Sequence, residues 1–146
     1  MEGGSDFRPK LRIVADHREA NADVIGHLCS LPEVALEFRQ LTTGDYEVEE
    51  CCVFERKSIR DFAMSIVDGR LFSQATRLSK YDRPAAIIIE GHADEIGTLG
   101  VRRESLQGAV ISLSLVFHIT VLRSSDPRGN RPVDLLCRRT ILPAGK

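Results

Sequence analysis

The run Ala85-Ala86-Ile87-Ile88-Ile89, introduced by Pro84, constrains this chain of 146 residues more than any other stretch. Side chains on a strand alternate between two faces, so consecutive apolar residues need cover on both. A strand of this kind belongs inside an α/β sheet with helices packed on each side. The flanking sequence supplies them. Residues 11–16 read as a buried strand ending in Asp16, and residues 20–31 have helical spacing (Val24, Ile25, Leu28, Leu31) stopped by Pro32. Residues 34–41 set Val34, Leu36 and Phe38 against Ala35, Glu37 and Arg39, a strand with one face toward the core. Thr42-Thr43-Gly44-Asp45 is turn chemistry, followed by strands at 46–48 and 51–57, with Tyr46 and Phe54 in the core. Ser58 is an N-cap for a helix whose core face takes Ile59, Phe62, Ala63, Ile66 and Val67, ended by Asp68-Gly69. Helical spacing returns over 71–81, residues 91–100 form a loop with room for one helical turn, and 104–116 is a long apolar helix. Residues 119–122 are the last strand, and 133–141 a short terminal helix after a loop. The predicted architecture is a mixed central β-sheet flanked by helices on both faces, with sites beyond strand ends. Residues 1–9 read as a flexible leader and 10–146 as a single domain.

Composition narrows the function classes. An apolar share of 42% with 28% charged residues is that of a globular chain and not of a disordered one. No apolar run is long enough to span a bilayer, and the opening Met1-Glu2-Gly3-Gly4-Ser5-Asp6 is polar and acidic, unlike a secretory signal. The expected location is the cytoplasm or nucleoid, or the nucleus of a eukaryote. The cysteines Cys29, Cys51, Cys52 and Cys137 lack zinc-ligand or redox-motif spacing and are expected to be reduced thiols, mostly in the core. Net charge is only −1, but residues 1–100 hold 12 Lys and Arg against 18 Asp and Glu, whereas residues 101–146 hold 8 against 3. Of 20 basic residues 16 are arginine, which favours bidentate grip on phosphate or carboxylate. Two readings follow: an unevenly charged solvated surface, or an acidic metal centre flanked by arginines that hold a phosphodiester backbone.

Residues 44–61 carry the chemistry. On a strand Glu55 and Lys57 share one face while Arg56 points to the other. A short hairpin between the strands after Asp45 would return the chain and bring Asp45 beside Glu55. Two carboxylates and a lysine suit a hard divalent cation and a water to be activated. Asp16, Asp45 and Glu55 all fall at expected strand ends or turns, and they are able to meet on one sheet edge. Taken singly, each is as well explained as a cap or a solvated turn residue. The bare Asp…Glu-x-Lys pattern is that of PD-(D/E)xK nucleases, and it recurs by chance in surface strands.

The match extends further. Gly44-Asp45, a spacer, Glu55-Arg56-Lys57, three residues and Asp61 resemble the G-D-x(n)-E-R-K-x-x-x-D signature of the XPF/Hef family of structure-specific DNA endonucleases. Ile13-Val14-Ala15-Asp16-His17-Arg18-Glu19 resembles that family's V-x-D-x-R-E strand end. Residues 65–78, with Asp68-Gly69-Arg70-Leu71, Gln74 and Arg77-Leu78, resemble its I-x-D-G-R-(L/F)-x-x-Q-x-x-R-L segment. The resemblance covers roughly residues 11–125 with its motifs in order.

It implies a restriction-endonuclease-like fold and a Mg²⁺- or Mn²⁺-dependent endodeoxyribonuclease acting near branched, forked or 3′-flap DNA in repair or replication-fork processing. Asp16, Asp45 and Glu55 would surround the metal, with the Arg56 carbonyl as a further ligand, and Lys57 would orient the water or neutralise the phosphate. Glu19 would stand near the water or metal, and Asp61 would fix Arg56 or Lys57, unless it serves only the helix dipole. Arg18 and Arg56 would organise the acidic cluster or hold phosphate. Arg18, Arg70, Gln74 and Arg77 are the candidate DNA-binding residues, the last three on one helical face. The resemblance also implies a homodimer or heterodimer, for which the apolar helix over 106–117 is a hint unless that helix is wholly buried. Relatives usually carry a tandem helix-hairpin-helix module after the nuclease domain, and the sequence has none through Lys146. Three explanations stand open: a minimal nuclease, a subunit that borrows DNA grip from a separate partner, or a piece of a longer chain. Two alternatives stand beside the nuclease: the same chemistry on unbranched DNA, and a non-catalytic partner subunit of the same fold. A small ligand-binding α/β domain has no glycine-rich phosphate loop to support it.

Overall fold

The computed structural model describes residues 10–125. The expected leader, the terminal helix over 133–141 and Cys137 lie outside them. The strands are β1 (Leu11–Asp16), β2 (Val34–Arg39), β3 (Tyr46–Val48), β4 (Cys52–Ser58), β5 (Ala85–Glu90) and β6 (Thr120–Ser124). The helices are α1 (Asp23–Ser30), α2 (Ile59–Val67), α3 (Leu71–Ser79) and α4 (Arg103–Leu115), with 3-10 turns at His17–Glu19 and Ala93–Ile96. One mixed sheet has the order β2-β1-β3-β4-β5-β6. β3 runs antiparallel to both β1 and β4, while β1–β2, β4–β5 and β5–β6 are parallel pairs.

β5 divides its side chains as its composition demands. Ala86 and Ile88 join Val24, Ile25 and Leu28 of α1 in one core, whereas Ala85, Ile87 and Ile89 join Phe62, Leu71, Leu78 and Leu113 of α2, α3 and α4 in the other. Helices therefore cover both faces, and the predicted fold class is the one observed. Tyr46 and Phe54 are buried. Ser58 caps α2 by accepting from the Asp61 amide, and Gly69, at φ +71°, carries the chain out of it.

Several local expectations fail. Val67 is exposed on the last turn of α2, and Phe38 is exposed because β2 is an edge strand. α1 begins three residues later than its periodicity predicts, since Asp16 first pins the chain in a 3-10 turn by accepting from the Arg18 amide. The thiols of Cys29, Cys51 and Cys52 are free, as expected, but only Cys52 packs, half-buried, against the core; the other two are exposed on α1 and the β3–β4 turn. α4 is not wholly buried either: Ile111 within it, Leu115 at its end and Val116 just past it are 57%, 72% and 68% exposed. Among the described residues no helix is long and apolar enough to cross a membrane.

Candidate active site

The β3–β4 hairpin builds the site. Its register opposes Tyr46 with Phe54, which places Asp45 one step beyond, next to Glu55. The Asp45 amide donates to the Phe54 carbonyl at 2.8 Å, and the Arg56 amide donates to Asp45 Oδ2 at 2.8 Å. Gly44 makes this closure possible. It sits at φ +74°, and a Cβ there would clash with Val53 Cγ2 and stand 3.1 Å from the Phe54 carbonyl oxygen. Gly44→Ala is expected to destabilise the domain by about 2 kcal/mol or more, through backbone strain and a displaced hairpin. A urea titration measures it, and a loss under about 0.5 kcal/mol would contradict this account.

Glu55 lies within β4 and not at its end, and it faces an open cleft of about 180 Å³. Arg18, the loop Thr42-Thr43-Gly44, Asp45, Glu55, and Gln74 and Arg77 of α3 line it. Lys57, on the same face of β4, donates from Nζ to Gln74 Oε1 at 2.9 Å. Burial pushes the Asp45 carboxyl up to about 6, reinforced by the charges of Glu19 and Glu55 and opposed by the Arg56 amide.

Asp16 is buried and already engaged. Oδ1 accepts from the Arg18 amide and Nε at 3.0 and 2.8 Å, and Oδ2 accepts from the Leu41 amide at 2.7 Å. The bonds from Arg18 hold its carboxyl at about 2. Asp16 thereby ties the end of β1 to the loop that precedes Gly44. The expected meeting of Asp16, Asp45 and Glu55 is not seen: among the described residues no three His, Cys, Asp or Glu side chains gather closely enough to hold a metal.

Arg56 points to the opposite face, where Nε and Nη2 grip Glu90 at 2.5 and 3.1 Å and Nη1 donates to Glu19 Oε2. Burial alone would depress this guanidinium, but the bonds to Glu90 and Glu19 hold it above its ordinary value. Each of its three side-chain nitrogens thus donates to a carboxylate inside the protein. Glu19 also accepts from the Tyr46 hydroxyl at 2.8 Å. Asp61 is exposed at the first turn of α2 and holds neither Arg56 nor Lys57, whose partners are Glu90, Glu19 and Gln74. Its place is that of an acid at a helix N-terminus. Arg70, just before α3, pairs with Asp68 at 3.1 Å and stays outside the cleft that Gln74 and Arg77 line. Sequence reasoning missed Glu90 as the partner of Arg56. The available signal was an acid ending the most buried strand.

Residues 15–129 match the model of the ERCC4 domain. The chain belongs to the ERCC4 domain family. The 3′-flap repair endonuclease Xpf of Saccharolobus solfataricus is 32% identical over 123 residues, covering 84% of this chain and 52% of that protein. The DNA repair endonuclease XPF of Cricetulus griseus is 33% identical over 117 residues, covering 80% of this chain and 12% of its own length. The structure of XPF from Aeropyrum pernix in complex with DNA superposes with a TM-score of 0.74 at 36% identity, covering 90% of this chain and 64% of that one. The ERCC4 domain described here thus shares its fold with XPF, and the chain spans about half or less of the length of these two curated relatives. The hairpin, the cleft and the clamp on Arg56 all fall within the matched residues.

Proposed function

We propose that this ERCC4 domain is a divalent-metal-dependent DNA endonuclease that hydrolyses a phosphodiester bond beside a branch, fork or 3′ flap. The observation that carries the reading is the β3–β4 hairpin, with Asp45 and Glu55 lining one open cleft, Arg18 and Arg77 at its walls, and Lys57 bonded to Gln74 of the same lining. The 3′-flap repair endonuclease of S. solfataricus, as a relative, supports the flap.

The residues fit a hard dication such as Mg²⁺ or Mn²⁺. Asp45 commits Oδ2 to the Arg56 amide and lines the cleft, and burial, with the charges of Glu19 and Glu55 nearby, raises its pKa, a cost that a bound cation would offset. With Glu55 it offers two carboxylates, and Mg²⁺ is commonly held by one or two of them together with substrate phosphates. The Arg56 carbonyl is a further candidate ligand. When bound, the metal polarises a phosphoryl oxygen and lowers the pKa of the attacking water. Lys57, steadied by Gln74, presents its ammonium to the charge that develops on the phosphate. Asp16 orients Arg18 and the loop before Gly44, and Glu19 steadies Arg56. Arg77 and Arg18 contact the DNA backbone; their removal should weaken binding and flatten its salt dependence.

The exposed Ile111, Leu115 and Val116 support assembly with a second copy or a related subunit. Sedimentation that stays monomeric at high concentration would count against it.

The test is cleavage of end-labelled 3′-flap, fork and plain duplex DNA in Mg²⁺ and in Mn²⁺. Branched substrates cut near the junction, and plain duplex left intact, are the expected result. Equal cutting of duplex would keep the chemistry and remove the branch preference. Folded protein that cuts nothing in either metal would overturn the reading in favour of a non-catalytic subunit.

A further inference from the structure

We propose that Glu90 is a positioning residue of this site, acting through Arg56 to fix how Asp45, Glu55 and Lys57 are presented. The inference rests on the nuclease reading and adds a residue from outside its signature motifs.

Arg56 joins two systems. Its backbone amide aims Asp45 by donating to Oδ2, while its side chain turns to the other face of β4 and grips Glu90 and Glu19. Tyr46, the neighbour of Asp45, donates to the same Glu19 oxygen that Arg56 bonds. A ring therefore closes through Asp45, Tyr46, Glu19 and Arg56, and it binds the two strands of the hairpin from both sides of the sheet. Arg56 already pairs with Ile88 of β5 through the sheet, and Glu90, opposite Ser58 in the same parallel strand, adds a side-chain anchor for this ring.

Charge balance alone does not explain Glu90. Glu19 already neutralises Arg56, so the second carboxylate leaves the cluster with an excess negative charge although Arg56, Glu19 and Glu90 are 19%, 15% and 13% exposed. What the second carboxylate adds is direction. Two parallel bonds from one carboxylate fix the rotation of a guanidinium, which a single bond does not. A guanidinium fixed against β5 reinforces the hold that the β4–β5 pairing has on the Arg56 backbone and with it the Asp45 hydrogen bond. Successive side chains alternate, so it also sets the aim of Glu55 and Lys57 on the opposite face.

Glu90→Gln keeps the size and removes the charge. Glu47→Gln is the control: Glu47 is equally shielded, accepts from Tyr81 and pairs with Arg83, and lies outside the cleft. Three quantities are read in each protein: Mn²⁺ affinity without DNA by calorimetry, exchange of the Arg56 amide by NMR, and kcat and KM for flap cleavage. For Glu90→Gln, Mn²⁺ affinity and kcat should fall about 10–100-fold with KM unchanged, and the Arg56 amide should exchange faster. Glu47→Gln should lower only the melting temperature. In Arg56→Lys, which cannot make the paired hydrogen bonds to Glu90, adding Glu90→Gln should cause little further loss. Folded Glu90→Gln with wild-type Mn²⁺ affinity and Arg56 amide protection would overturn the proposal. A wild type that cuts no DNA would defeat the nuclease reading instead, and Glu90 would still be judged on metal affinity and amide exchange. If Mn²⁺ does not bind the wild type, amide exchange alone decides.

Discussion

Asp45→Asn is expected to abolish cleavage while stabilising the metal-free domain at neutral pH. Cleavage should fall by at least about 10³-fold, the scale of losing a group that organises transition-state charge. The stability effect follows from the pKa. Burial disfavours the ionised form and pushes the Asp45 carboxyl up to about 6 in the folded protein, against 3.8 for an unperturbed aspartate. Between these values the folded state binds more protons than the unfolded one, so stability falls as pH rises through the window. Asparagine carries no charge to bury and still accepts from the Arg56 amide. The variant should therefore match the wild type below pH 4 and exceed it by up to about 2–3 kcal/mol above pH 7, with chelator present. Urea titrations at pH 4, 6 and 8 measure the difference. A variant less stable than the wild type at pH 8 would show that Asp45 is a structural residue. Added Mg²⁺ should close the gap by stabilising the wild type alone.

Arg56→Met is expected to be the most damaging single change to stability. It removes the guanidinium from between two largely shielded carboxylates and leaves Glu19 and Glu90 facing each other without their shared partner. Breaking a buried pair from one side typically destabilises by about 3–5 kcal/mol, because the remaining charge is left uncompensated. Placing Glu90→Gln or Glu19→Gln on the same background should recover part of the loss, since each removes one orphaned charge. Such a recovery would be read from the shift in the denaturation midpoint. A loss below about 1 kcal/mol would mean that water reaches the cluster and screens it.

These two residues are eleven positions apart, and they divide what is local in this protein from what is not. Asp45 was legible. Gly44 before it, the alternation of Tyr46 to Val48 and of β4 after it, and the short span between them specify a hairpin that brings Asp45 to Glu55. The fold class was legible for the same kind of reason. Period-2 and period-3.6 patterns, the cap at Ser58 and the doubly buried β5 are written in neighbouring residues, and only one layer order accommodates them.

The side-chain partners were not legible. Which acid holds Arg56 depends on β5 pairing in parallel with β4 across an intervening pair of helices, which brings Glu90 near from 34 residues away. Asp16 looked free to ligate a metal. The chain folds Leu41 back onto it and fills its second oxygen. Asp61 has the spacing to reach Lys57, but α3 delivers Gln74 there instead. The sequence by itself determined the strand and helix order, the hairpin and the residue types gathered near the cleft, since these follow from local periodicity and turn chemistry. Only the tertiary structure decided which charge meets which, because an ion pair forms between neighbours in space, and strand order sets those neighbours.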